Sequence, residues 1–249
     1  MKFDFTDRLC TFLFGRLAAV KSEKLFFVQV GANDGFSGDP VNNLAKRHNW
    51  SGLVIEPVPD LFSELSLNYS DFPKIECLQL ACGERREERP FYRIRYRDGK
   101  PIYSNKGLSS FHREIIRGHF SSDADFEESV ERVQVGVVPL NDLLEERAIE
   151  KVDLLIVDTE GADQEVLAGF DLSIYAPDLV MMEHYHLDKI SRNGLAQRMH
   201  EDGYRRIVGA MDTFFVKPHL FSDIEMEMLG AFHAPILAWR WEDNHFDKA

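Results

Sequence analysis

The run Phe26-Phe27-Val28-Gln29-Val30 breaks into Gly31-Ala32-Asn33-Asp34-Gly35, and a second apolar run, Leu53-Val54-Ile55, ends on Glu56-Pro57. A short apolar run closed by a glycine turn reads as a buried parallel strand. Two such strands with a polar helical segment between them make a βαβ unit. Gly31 and Gly35 let the backbone turn sharply and let a ligand approach where a Cβ would stand in the way. Glu56 lies about 25 residues after Gly31, near where nucleotide-binding βαβ units place the carboxylate that takes ribose hydroxyls. The unit predicts a site for an adenosine-like ligand at the carboxyl ends of the strands.

The loop narrows the choice of ligand. A dinucleotide fingerprint, G-x-G-x-x-G, needs three glycines so that pyrophosphate can rest on a helix N-terminus. From Gly31 those places hold Gly31, Asn33 and Phe36, so two of the three fail. Asp34 is a poor neighbour for pyrophosphate and a good one for an ammonium or sulfonium. The expected ligand is therefore S-adenosylmethionine (SAM), which has a ribose and a positive charge but no phosphate. The plainer alternative is that Asn33-Asp34-Gly35 is only a turn, since these residues favour turns. Turn chemistry leaves Glu56 unexplained.

Composition sets the outer bounds. The 249 residues suffice for one large domain, and the 44% hydrophobic and 29% charged content is that of a globular chain. A net charge of -13 argues against nucleic acid or an anionic membrane surface as the main partner and leaves small molecules, sugars or a basic carrier protein open. Cys10, Cys77 and Cys82 are odd in number and lack metal spacing, which suits a reducing, cytoplasmic location. No stretch is apolar for long enough to span a bilayer. Leu9 to Val20 is interrupted by Arg16, so the N-terminus reads as an amphipathic helix rather than a targeting segment.

Along the chain, residues 3–20 are expected to be helical, with Phe5, Leu9, Phe12, Leu13, Leu17 and Val20 near a 3.6-residue period, as a cap on the sheet or a lid. Asp39-Pro40 reads as a helix start. A helix over Pro59 to Tyr69 and a third strand over Ile75 to Cys82 follow. The alternation then fails: Phe91 to Tyr96 alternates like a half-exposed strand, 98–110 is a polar loop, and 114–132 is charged and helical. An interruption of this kind predicts a functional lid over 98–132. Regularity returns with a strand at Val133 to Val138, a helix at Leu140 to Arg147, and the most strand-like run of the chain, Val152 to Asp158. A helix follows, stopped at Gly169, and then a fifth strand over Asp178 to Glu183. A helix over Gly194 to Asp202 and a hairpin of Tyr204 to Val208 with Thr213 to Val216 close the sheet. Beyond these come a short helix near Ile224 to Leu229 and an aromatic tail with Trp239, Trp241 and Phe246. The prediction is one domain over 1–249: a helical cap at 1–24, a ligand-binding core at 25–217 and an extension at 218–249. The core would be a doubly wound, mostly parallel sheet with an antiparallel C-terminal hairpin and helices on both faces.

With Val30-Gly31-Ala32-Asn33-Asp34-Gly35, Ile55-Glu56-Pro57 and Asp158-Thr159-Glu160-Gly161-Ala162-Asp163 in this order, residues 25–217 resemble the FkbM-like family of SAM-dependent methyltransferases. The resemblance implies a class I methyltransferase sheet, Rossmann-like with a reversed final strand, and O-methylation of a sugar or other small metabolite. Carried over by position, Gly31, Ala32, Asn33, Asp34 and Gly35 would hold the methionine part of SAM. Glu56 and Pro57 would lie at the ribose, Ala81 and Cys82 beside adenine, and Asp158 near the methyl group. Asp163 stands where the family often has Glu.

An alcohol acceptor benefits from a base or a metal that lowers the cost of its alkoxide. Asp158 and His184 are the candidate bases. Ser109, His112, Glu160 and His186 are the candidate acceptor contacts. Asp158, Glu183 and His184 are the candidate ligands of a divalent ion such as Mg²⁺, with the metal-free arrangement preferred. The plain alternatives are that Asp158 and Glu160 cap the next helix and that the histidines are solvated loop residues. Two other functions stay open. One is a nicotinamide-dependent enzyme, disfavoured by the failed glycine pattern; the other is a catalytically silent binding protein on the same fold.

Overall fold

The computed structural model describes residues 5–209 and 211–229. The tail carrying Trp239, Trp241 and Phe246 lies outside these residues. The first strands are β1 (Phe26–Val30), β2 (Ser51–Ile55) and β3 (Ile75–Leu78). A middle group follows: β4 (Ala81–Cys82), β5 (Glu87–Ile94), β6 (Tyr96–Arg97), β7 (Lys100–Pro101), β8 (Ser109–Ser110) and β9 (Val130–Val138). The last are β10 (Leu154–Val157), β11 (Leu179–Glu183), β12 (Arg205–Val208) and β13 (Asp212–Val216). The first helices are α1 (Phe5–Lys21), α2 (Asn42–His48), α3 (Pro59–Tyr69), α4 (Arg113–Arg117) and α5 (Asp123–Ser129). Further helices are α6 (Leu140–Glu146), α7 (Asp163–Ala168), α8 (Leu172–Tyr175) and α9 (Lys189–Glu201), and residues 223–229 are also helical.

The main sheet has seven strands in the order β12-β13-β11-β10-β1-β2-β3. β3, β2, β1, β10 and β11 run parallel, and β13 enters antiparallel between β11 and β12. The chain leaves β1 toward β2 and β3, then returns to the other side of β1 at β10, which puts the topological switch point between β1 and β10. The central strands are buried on both faces, which is why they read as unbroken apolar runs. Along β10, Leu154 and Ile156 join one core with α1 and α2, while Leu155 and Val157 join the other with α6, α7 and α9.

Helix α1 uses a rotated version of the expected stripe. Leu9, Cys10, Leu13, Phe14, Leu17 and Ala18 are buried, whereas Phe12 and Val20 are exposed. Lys21 at its end pairs with Asp153 at 3.1 Å and Asp178 at 2.5 Å, the residues that precede β10 and β11. This anchors α1 toward the amino ends of the strands, away from their carboxyl rim, so it caps a sheet face and is not a lid. Among the described residues no helix is long and apolar enough to cross a membrane.

The interruption between the two halves departs most from expectation. Ile75 to Cys82 is not one strand: it splits at Gln79 and Leu80, and β4 leaves the main sheet for a second one, β4-β9-β5-β8. β9 begins at Val130, and its register with β5 runs from Val130↔Ile94 to Val137↔Glu87. The stretch expected to be one charged helix is two short helices, α4 and α5, whose Ile116 and Phe126, with Phe120 from the turn between them, pack with Ile94, Leu108 and Val130. Residues 98–110 hold β7 and β8 rather than a structureless loop. The excursion thus has a small core of its own.

Candidate active site

The carboxyl ends of β1, β2 and β10 open onto a cleft whose empty space, open mouth included, is about 810 Å³. Its floor is the glycine loop. Gly31 has φ +81°, and a Cβ there would lie 1.8 Å from the carbonyl oxygen of Asp158, so only glycine fits at this crossing. The Gly31 and Ala32 N–H groups both donate to the Ile55 carbonyl at 3.0 Å, which pins the loop to β2. Asn33 sits in the left-handed region with φ 51°, and its N–H donates to Glu56 Oε2 at 3.0 Å.

Glu56 is buried and also accepts from the Val58 N–H at 2.9 Å. Burial pushes its carboxyl up to about 7, while the Val58 and Asn33 donors pull the other way. Each oxygen retains capacity for a further donor from the cleft, which it lines. Opposite lie Leu80, Ala81, Cys82, Phe91 and Phe111, an apolar wall in which the Phe91 and Phe111 rings meet edge to face at 4.9 Å. Burial raises the Cys82 thiol, which keeps it neutral.

Asp158, Thr159 and Glu160 form the remaining side. Asp158 is hemmed in by protein yet open to the cleft. Burial, followed by the carboxylates of Asp163, Glu160, Asp212 and Glu56, pushes it up to about 8; water entering the cleft offsets part of that push. Neither Asp158 nor Glu160 caps the next helix: the cap position of α7 is Ala162, with no side-chain hydrogen bond. Thr159 instead donates to Asp163 Oδ2 at 2.9 Å. Glu160 has φ 51°, a strained conformation for a residue with a side chain.

Of the residues read from sequence, Gly31, Ala32, Asn33, Glu56, Pro57, Ala81, Cys82, Asp158, Ser109 and Glu160 line this cleft. Asp34 and Gly35 do not. Asp34 is turned under the loop, accepting from the Phe36 and Ser37 N–H groups at 2.9 and 2.7 Å and pairing with Lys106 at 3.0 Å. Although burial opposes it, hydrogen bonding from Ser37, Lys106 and Phe36 holds the Asp34 carboxyl down at about 2. Its charge is spent inside the protein, so it does not face a sulfonium. Gly35 faces Leu65 and Tyr69 of α3.

His184 also misses the cleft lining: its Nδ1 is 3.0 Å from Thr213 Oγ1, and its N–H donates to the Met211 carbonyl, which turns it toward β13. The expected metal trio of Asp158, Glu183 and His184 therefore does not converge. Among the described residues, the group whose ligand atoms come together is His119, Glu160 and His186. His112 and His186 stand behind the rim, beside Gly161.

The sequence reading missed Gln29, Asp39, Phe91 and Phe111 as lining residues. Asp39 was legible as a helix cap, and its Oδ1 does accept from the Val41 and Asn42 N–H groups at 2.8 and 2.6 Å. Its place on the cleft wall comes from Gln29, whose amide donates to Asp39 Oδ2 at 3.2 Å. The consequence is chemical: the start of α2, where a dinucleotide would rest its pyrophosphate, is already occupied by a carboxylate.

Residues 29–228 match the model of the methyltransferase FkbM domain. Among solved structures, the chain is similar to methyltransferase FkbM from Methylobacillus flagellatus KT, with 16% identity, a TM-score of 0.48, and 77% of this chain aligned to 43% of that one. It thus spans less than half the length of that protein. It is also similar to an rRNA methylase from Streptococcus thermophilus, with 10% identity, a TM-score of 0.43, and 83% and 94% of the two chains covered. A third is the fibrillarin pre-rRNA processing protein of Methanococcus jannaschii, with 12% identity, a TM-score of 0.40, and 80% and 71% covered. No match was found among curated protein sequences. The exclusion of nucleic acid drawn from net charge is thereby corrected, because proteins handling RNA occur among the similar structures. Net charge averages over the whole surface, whereas recognition is local. With the family model covering most of its length, the chain belongs to the methyltransferase FkbM domain family.

Proposed function

We propose that this chain transfers a methyl group from SAM to a hydroxyl oxygen of a sugar or other small metabolite. Family membership implies SAM as the methyl donor. The observation that carries the binding mode is the pairing of Glu56 with a floor unsuited to phosphate: a buried carboxylate faces the cleft, and Asp39 fills the helix start that a pyrophosphate would need. Glu56 would take the ribose hydroxyls, the Leu80–Phe111 wall would take adenine, and the backbone of Gly31 to Asn33 would border the methionine part. These features argue against a nicotinamide cofactor.

When bound, SAM supplies a methyl carbon already activated by its sulfonium. The protein's share is to hold the acceptor oxygen in line and to remove its proton. Asp158 is suited to the second task because it opens onto the cleft and its carboxyl is raised toward the working pH, where a general base is most effective. Ser109 and Glu160 would contact the acceptor. Residues 98–132 would close over it, since Gly107 packs directly against the Asn33 side chain. The three cysteines are free thiols, which suits a reducing cytoplasm.

The reading is tested by calorimetric titration with SAM and with NADH, followed by mass spectrometry of metabolite extracts incubated with the protein and labelled SAM. SAM binding without NADH binding, together with a labelled hydroxyl product, is expected. NADH binding, or the absence of any labelled product, would sink the proposal.

A further inference from the structure

The geometry points to a divalent transition-metal site at the edge of the cleft, formed by His119, Glu160 and His186. Three segments far apart in sequence supply it: the turn after α4, the loop after β10 and the turn after β11. One ligand atom from each lies within 4.8 Å of the other two. His186 Nε2 is already 3.0 Å from Glu160 Oε2. Ligands of a tetrahedral zinc stand about 2.0–2.2 Å from the ion, and so roughly 3.4 Å from one another. Small side-chain rotations of the exposed His119 close the difference.

A second observation is independent of this spacing. Glu183 is buried, its Oε2 has no hydrogen-bond partner among the described residues, and that atom lies 3.8 Å from the same His186 Nε2. A buried carboxylate oxygen left unsatisfied needs an explanation, and a cation beside His186 provides one. The backbone is prepared as well. Glu160 is held at φ 51°, and its carbonyl accepts from the buried Ser110 hydroxyl at 2.6 Å, which seats β8 of the excursion on this loop. Two imidazoles with one or two carboxylates suit Zn²⁺ or another first-row ion, and do not suit Mg²⁺, which prefers an oxygen shell. Because His119 belongs to the excursion and the other ligands to the rim of the main sheet, a bound ion would fasten one to the other. This assignment does not depend on which acceptor, if any, the cleft takes.

The test is titration of metal-stripped protein with Zn²⁺, and with Co²⁺ monitored by its visible absorption, in the absence of SAM. One equivalent should bind, Mg²⁺ in excess should not displace it, and His119→Ala and His186→Ala should each weaken it by about tenfold or more. Zn²⁺ should also slow hydrogen exchange over residues 113–129 in the wild type but not in His119→Ala. His119 is exposed, so this variant is expected to fold, and an unchanged circular dichroism spectrum checks that. Zn²⁺ binding no tighter than about 100 µM, or binding equally tight in His119→Ala, would overturn the assignment.

Discussion

The main sheet and the excursion between β3 and β10 are built on opposite principles. In the main sheet, β1, β2, β10 and β11 are each short and buried on both faces, and they pair in parallel through helical crossovers. In the excursion, β5 and β9 are longer, have most positions only partly buried or exposed, and pair antiparallel, with Phe91 opposite Val133. The first region supplies the cleft's floor, with Gly31, Glu56 and Asp158. The second supplies a wall, with Phe91 and Phe111, and, in the proposed function, the cover. If residues 98–132 close over the acceptor as proposed, rigidity and access are divided between the two regions: a dense double core holds Gly31, Glu56 and Asp158, and a small core of Ile94, Leu108, Ile116 and Phe126 carries the covering side.

The sharpest way to break this contrast is to damage each core in turn. Leu155→Ala in β10, where the side chain is fully buried, should cost roughly 2–5 kcal/mol of global stability in denaturant unfolding. Phe126→Ala should leave exchange protection of β1 and β10 intact while residues 109–130 exchange faster. If both variants lower protection everywhere by the same amount, the two regions are one cooperative unit and the division fails.

Gly31→Val tests the crossing of the glycine loop over Asp158. A side chain there meets a backbone carbonyl and an unfavourable φ, so a loss of roughly 2–4 kcal/mol is expected. A near-neutral result would mean that the loop shifts freely.

Glu56→Gln tests the ligand role with a smaller effect, since a hydrogen bond to a charged acceptor contributes about 1.5–3 kcal/mol. Its pH dependence has a definite sign. The folded carboxyl is raised to about 7, above its unfolded value, so the stability it contributes is present at low pH and lost as pH rises through about 7. Ligand hydroxyls donating to Glu56 favour its ionised form, so SAM affinity should move the other way and fall as pH drops below about 7. Calorimetry between pH 6 and 8, in roughly this window, should show that slope in the wild type and lose it in Glu56→Gln.

The smallest effect belongs to the tie between the regions. Lys106 pairs with Asp34 beneath the glycine loop and with Glu64 on α3. Because Lys106 is partly exposed, Lys106→Met should cost no more than about 1 kcal/mol. It should nevertheless raise hydrogen exchange over 98–110, where SAM should restore protection. The Asp34 carboxyl, held down at about 2, contributes stability that is present above its unfolded value near 4 and lost as pH falls toward 2. In Lys106→Met that loss should begin at higher pH. Strong protection of 98–110 in the unliganded variant would argue against a movable cover.

What could be read from sequence alone follows the same division. Runs such as Leu154 to Val157 announce themselves because burial on both faces demands apolar residues without interruption. The parallel sheet, its closing hairpin, the glycine loop, Glu56 and Asp158 were legible for that reason: a strand's carboxyl end brings its next residues to the rim whatever the rest of the chain does. In the excursion, Phe91 to Tyr96 and Val133 to Val138 read as strands, but their pairing and full extent were not legible, because half-exposed strands carry a weak pattern and the register of β5 on β9 is set by contacts some 40 residues apart. Side-chain direction also belongs to the tertiary structure. Asp34 looked like a ligand residue until Lys106 and the turn N–H groups claimed its oxygens, and His184 looked like a base until Thr213 and Met211 turned it toward β13. Only folding gathers His119, Glu160 and His186, since no local spacing links a turn after α4 to two loops of the main sheet. Local chemistry determined which residues arrive at the rim, and packing between distant segments decided which way they face.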